Sequence, residues 1–157
     1  MYVVACAVVV LVAVPNVREN RELEELWVRE VATHFLDAAL AENFKEALAS
    51  ATGEFRQRLK QSSKLFYPED EFSGLKQVIW PATWKAGLAD AGAYPVARRS
   101  QLSPAGDEAR VTGKILIGQR GSRKAIAQFS TTLNKQTDGK WRVNGLTVQT
   151  FKTTGAP

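Results

Sequence analysis

The stretch Asp138–Phe151, DGKWRVNGLTVQTF, decides how the chain is read. Trp141 and Val143 alternate with Arg142 and Asn144 as in a half-buried β-strand, yet the next apolar pair, Leu146 and Val148, is one place out of phase. A strand can keep one face buried through such a slip if it carries one extra residue, which inverts the alternation beyond it and bends the strand. Asn144-Gly145 is the site for that residue, since glycine is favoured where the backbone must bulge. Just upstream, Asp138-Gly139 is a pair that closes a tight hairpin because both positions tolerate positive φ.

Working outward, period-two patterning extends back to Gly92. Tyr94–Leu102 predicts a strand and Ser103–Asp107 a turn; Arg110–Gly118 alternates Val111, Ile115 and Ile117 against Arg110, Thr112 and Lys114. GQRGSR is the next turn, and Ala125–Gln136 sets Ala127, Phe129 and Leu133 on one face. The period ahead of the sheet is helical. Between Glu22 and Glu42, Leu23, Leu26, Trp27, Val31, Phe35 and Ala38 recur at three-and-four spacing, predicting a long amphipathic helix. Asn43 followed by Glu46 has the form of a capping box for a short helix over Phe44–Ala51, and Glu54–Lys60 restarts one after Thr52-Gly53. Gln61–Gly74 gives no clear pattern. Gln77–Trp84 is apolar but split by Pro81, which rules out a central strand and leaves an edge strand or a short helix. Helices first and then a meander is the α+β order, with the helices packed in the concave face of a bent antiparallel sheet.

The 157 residues suffice for one domain with its own core, and a single cysteine, Cys6, excludes an internal disulfide. The charge is uneven: residues 1–75 carry 8 Lys/Arg against 12 Asp/Glu, a net of −4, and residues 76–157 carry 13 against 4, a net of +9. The C-terminal half, with Arg98, Arg99, Arg110, Lys114, Arg120, Arg123 and Lys124, thus offers a face for nucleic acid, anionic lipid or an acidic protein, or a simple solvated surface. Residues 1–15 are uncharged and almost wholly apolar, shorter than the roughly 20 residues that span a bilayer. They are read as an export signal or membrane anchor, with a buried first strand as the alternative. Val3-Val4-Ala5-Cys6 has the outline of a lipoprotein box, but the chain stays apolar after Cys6 where such a box turns polar. Residues 18–152 then form one domain and 153–157 a tail; the expected location is membrane-anchored or secreted, or cytoplasmic if residues 1–15 are a buried element.

A long helix, the helix pair AENFKEALASATGEFRQRL (Ala41–Leu59) and a meander ending in DGKWRVNGLTV resemble the nuclear transport factor 2-like superfamily, the cystatin-like cone. The resemblance covers Glu22–Phe151 and implies a helix wrapped by a curved sheet. It implies little about activity, because that fold serves isomerases, dehydratases, ligand binders and catalytically silent accessory domains alike. Members that follow a membrane segment include scaffold components, and many relatives form homodimers through the outer sheet face.

Chemistry is sparse in the sequence. No glycine-rich phosphate loop, nucleophile motif or metal-ligand cluster appears, and no cofactor is expected. The functional reading is a non-catalytic accessory domain that contacts a protein partner or captures an apolar small molecule. Partner contact would use Arg110, Lys114 and Arg123; ligand capture would use Trp27, His34, Trp80 and Trp141 at the cone mouth. The alternative is an isomerase- or dehydratase-like enzyme with His34, Asp37 and Tyr94 as an acid/base set. Nucleic acid is not the expected partner, since the basic positions lack interleaved aromatic residues for base stacking.

Overall fold

The bulge foreseen at Asn144-Gly145 is present. The computed structural model describes residues 17–63 and 69–151; the apolar segment 1–15 and the tail 153–157 lie outside the described residues. Four helices, α1 (Val17–Leu40), α2 (Phe44–Ala49), α3 (Gly53–Ser62) and α4 (Glu71–Leu88), precede four strands, β1 (Ala93–Leu102), β2 (Glu108–Ile117), β3 (Lys124–Lys135) and β4 (Trp141–Thr150). The strands form one antiparallel sheet in chain order. In the β3–β4 ladder Thr132 faces Gly145 and Leu133 faces Val143, so Asn144 is the unpaired extra residue. Trp141, Val143 and Leu146 are all buried as a result. A Cβ on Gly145 would stand 2.6 Å from Thr132 Oγ1, so glycine leaves that exposed hydroxyl in place opposite the bulge. Two further register shifts, at Arg98 in β1 and Ile126 in β3, add to the bending.

The bulge is fastened to the helices. Thr52 Oγ1 donates to Asn144 Oδ1 at 2.7 Å and accepts from Phe55 N–H at 3.1 Å, so one hydroxyl holds the bulge and caps α3. Around it the α2–α3 junction pairs with β4 through Thr52 N–H to Val143 O and Val143 N–H to Ser50 O, both 2.8 Å. Arg58 also donates to the Asn144 carbonyl. These bonds satisfy part of an edge strand that would otherwise present open backbone groups.

The buried stripe of α1 corrects the hydropathy pattern. Phe35 and Ala38 are buried, but Leu23, Leu26 and Trp27 are 51%, 56% and 56% exposed. The inward positions are instead Arg21, Glu24, Val28, Ala32, Phe35 and Ala39, which share one helix face at spacings of three and four. Near the helix start this face is polar and bonds the sheet rim: Arg21 donates to Leu102 O, and Glu24 accepts from Lys135 Nζ at 2.7 Å and from Trp141 Nε1. Polar side chains in the inward positions displace the apolar ones outward. Phe35, Leu36, Val111, Ile115 and Leu133 then fill the space between α1 and the sheet.

Several local expectations change as well. Asn43 meets Glu46, but through their side chains rather than as a reciprocal backbone cap, and α2 stops at Ala49. Gly139 takes positive φ in the last hairpin while Asp138 does not; its carboxylate accepts from Lys140 N–H instead. Gln77–Trp84 lies inside α4, with Pro81 within the helix. An interior proline costs about 3 kcal/mol. Burying Leu75 and Ile79 alone returns roughly 3–6 kcal/mol, enough to hold the helix across it.

Two measurements check this account. Thr52→Val should lower unfolding stability by about 1–2 kcal/mol in chemical denaturation, because the α3 cap and the bulge lose the same hydroxyl. Burial disfavours the Glu24 carboxylate, but the Lys135 and Trp141 hydrogen bonds and the Lys135 charge outweigh it and hold its pKa below the ordinary 4.5. Its contribution is therefore complete above pH 4.5 and is lost as acid takes the pH down through the folded-state value. Glu24→Gln should cost about 1–2 kcal/mol at neutral pH. Its stability should also decline less steeply below pH 4.5 than that of the wild type.

Candidate functional site

The outer face of the sheet is set by register. Lys114 lies between Val96 and Gln128, Thr112 between Arg99 and Ser130, and Arg110 between Gln101 and Thr132, so these residues share the side opposite the helices. In β1, Ala97 pairs with Gly113 and Arg99 with Thr112, leaving Arg98 as the bulged residue. A regular strand would send two consecutive side chains to opposite faces. At this bulge both arginines are exposed and line the same furrow, together with Arg110 and Lys114.

The furrow encloses about 430 Å³, and its lining contains four cations and no carboxylate. Its floor carries Thr112, Gln128, Ser130, Thr147 and Gln149, with Gln128 Nε2 donating to Gln149 Oε1 at 3.2 Å. Arg110 Nε donates to Ser130 Oγ at 2.9 Å, and the Lys114 ammonium sits 5.8 Å from the centre of the Phe151 ring. Among the described residues the ion pairs lie elsewhere, and none of the four cations is within 4.0 Å of a carboxylate oxygen. Unit charges about 7 Å apart repel by roughly 0.6 kcal/mol in water and 2.4 kcal/mol at an effective dielectric of 20. The four like charges repel one another, and a bound anion would relieve that repulsion.

Of the basic residues singled out from sequence, Arg110 and Lys114 enter the furrow. Arg123 sits in the β2–β3 turn, its guanidinium 6.0 Å from the Tyr94 ring centre. Arg98 and Arg99 belong to the same basic C-terminal half but not to the expected contact set of Arg110, Lys114 and Arg123, since only the bulge brings both to this face. A consecutive Arg-Arg pair inside a predicted strand, where one member must otherwise be wasted or buried, is the signal that could have found them.

The acid/base set does not assemble. His34 Nε2 lies 3.2 Å from Glu46 Oε1, with both side chains about half exposed. Asp37, next to it on α1, has its carboxyl pushed above the ordinary value by desolvation, with the nearby His34 acting in the opposite direction. Tyr94 belongs to β1, pairs with Leu116 and donates its hydroxyl to Gly118 O at 3.2 Å. The phenol is therefore engaged at the β2–β3 turn rather than at the α1 histidine.

The four proposed ligand residues divide between different places. His34 and Trp141 line a groove of about 400 Å³ with Val31, Ala49, Lys140 and Arg142. Trp27 is exposed on α1. Trp80 lies on α4, stacked on Trp84 at 5.8 Å beside a shallow hollow of about 330 Å³. Among the described residues there is no cluster of metal-ligating side chains, and no helix is long and apolar enough to cross a membrane.

No family model and no curated protein matches the sequence. Solved structures do resemble it. A protein of unknown function with a cystatin-like fold from Nostoc punctiforme superposes with a TM-score of 0.52 at 14% identity, over 83% of this chain and 93% of that one. A protein of unknown function from Mycobacterium tuberculosis gives 0.54 at 11% identity, over 88% and 78%. A structure from Catenulispora acidiphila gives 0.53 at 10%, over 84% and 94%. At such identities the likeness establishes a cystatin-like fold and leaves activity open.

Proposed function

We propose that this cystatin-like cone is a non-catalytic accessory domain that docks an acidic protein partner on the outer face of its sheet. The observation carrying this reading is the furrow in which Arg98, Arg99, Arg110 and Lys114 converge without a single carboxylate. Like charges left to repel one another are a mark of a binding face, where complementary charge on the partner sets orientation and speeds encounter. The same charge weighs against a homodimer built face to face, because an isologous pair would set this cationic patch against its own copy. Catalysis by His34, Asp37 and Tyr94 has no comparable support, since the phenol and the imidazole are engaged with different partners.

The apolar residues 1–15 support a position at a membrane or outside the cytoplasm, with the sheet face turned to a partner there. A reporter fused to residues 1–20 tests this part, and a soluble cytosolic reporter would refute it. A second reading, capture of an apolar molecule, draws on the groove shared by His34 and Trp141.

Docking is tested with fluorescent polyglutamate at low ionic strength. Wild-type protein should bind it, with affinity falling steeply as salt rises. Arg99→Gln combined with Lys114→Gln should weaken binding by about tenfold or more, equivalent to about 1.4 kcal/mol. Trp84→Ala, on the far helix, should leave it unchanged. Equal binding by the furrow variant and the wild type would overturn the proposal.

A further inference from the structure

We infer that the furrow reads an extended segment with carboxylates at every second residue, laid along β2. This rests on the docking reading above and adds the conformation and pattern of the bound segment. The cations are arranged by the strand period. Lys114 and Arg110 are four residues apart on one face of β2, and Arg99 stands beside Thr112, the position midway between them. Alternate residues of a strand are about 7 Å apart, so the rows of Lys114, Arg99 and Arg110 follow one another at about that interval over roughly 14 Å. An extended acidic segment repeats its own side chains at the same interval: Asp or Glu at positions i, i+2 and i+4 points to one side and meets one cation per row. A helical segment would present carboxylates along one face every three or four residues, about 5–6 Å apart, and would drift out of step with the rows.

The floor fits the same occupant. Gln128, Ser130, Thr147 and Gln149 offer amide and hydroxyl groups on the β3–β4 side of the cations, suited to backbone and carboxylate oxygens rather than to an apolar surface. The bulge contributes the fourth charge: Arg98 and Arg99 together set two guanidinium forks at the middle of the line, and a guanidinium can bind a carboxylate through two parallel hydrogen bonds. A nucleic-acid strand could match the charge, but a single strand also needs aromatic surfaces for its bases; Phe129 in the lining is buried, and the half-buried Phe151 ring already faces the Lys114 ammonium.

Two end-blocked peptides of equal composition and charge separate pattern from charge alone: one alternates Glu and Thr over eight residues, the other places four Glu ahead of four Thr. Fluorescence anisotropy with the full chain should show the alternating peptide binding at least about fivefold tighter. Arg99→Gln or Arg110→Gln, each shown folded by its thermal melt, should erase that difference. Equal affinity for the two peptides would overturn the register claim and leave acidic docking standing. Binding of neither, with polyglutamate also unbound, would overturn both. Tighter binding of oligothymidylate or of phosphatidylserine vesicles than of the alternating peptide would assign the furrow to a different anion and refute the inference.

Discussion

The extra residue at Asn144, held by the Thr52 hydroxyl, is the constraint on which the architecture depends. Without it, Leu146 and Val148 would turn to the face that carries Thr132, and the last strand could not keep a continuous apolar side. With it, β4 bends, and the α2–α3 junction closes on the bend through backbone bonds to Val143. Thr52 also caps α3, so one side chain ties the helix pair to the bend in β4. The core between α1 and the sheet takes its shape from that agreement.

The same backbone device recurs for a different end. In β1 the bulge at Arg98 lies on a strand whose neighbours on the outer face are polar and basic, and there it gathers charge instead of burying apolar surface. One bulge serves packing and another concentrates cations, which agrees with the tendency of bulges to occur where a strand must re-aim its side chains. The helix side of the sheet is given over to a filled apolar core, and the chemical distinctiveness of the domain lies on the opposite side.

Much of the fold was legible because it is written in local periods. The alternation in Arg110–Gly118 and Ala125–Gln136, the turn residues between strands and the phase slip at Asn144-Gly145 are each properties of neighbouring residues, and the structure bears them out. The failures share a cause. Leu23, Leu26 and Trp27 belong to an apolar helical repeat, yet the sheet rim selects Arg21 and Glu24 for the inward face because Leu102 O, Lys135 and Trp141 wait there. Pro81 excludes a central strand but leaves an edge strand and a short helix both open until the packing of Leu75 and Ile79 is known.

The sequence by itself determined the α+β order, the antiparallel meander and the place where its last strand must bulge, since these follow from side-chain period and glycine placement along a single stretch of chain. It also showed that positive charge gathers in the C-terminal half. Only the tertiary structure decided which of those charges meet. Arg98, Arg99, Arg110 and Lys114 come from two strands brought into register by cross-strand hydrogen bonds and a bulge, while Arg123 and Tyr94 are drawn to the β2–β3 turn and His34 to Glu46. A binding face is a statement about distances between residues remote in sequence, and those distances exist only once the sheet has paired.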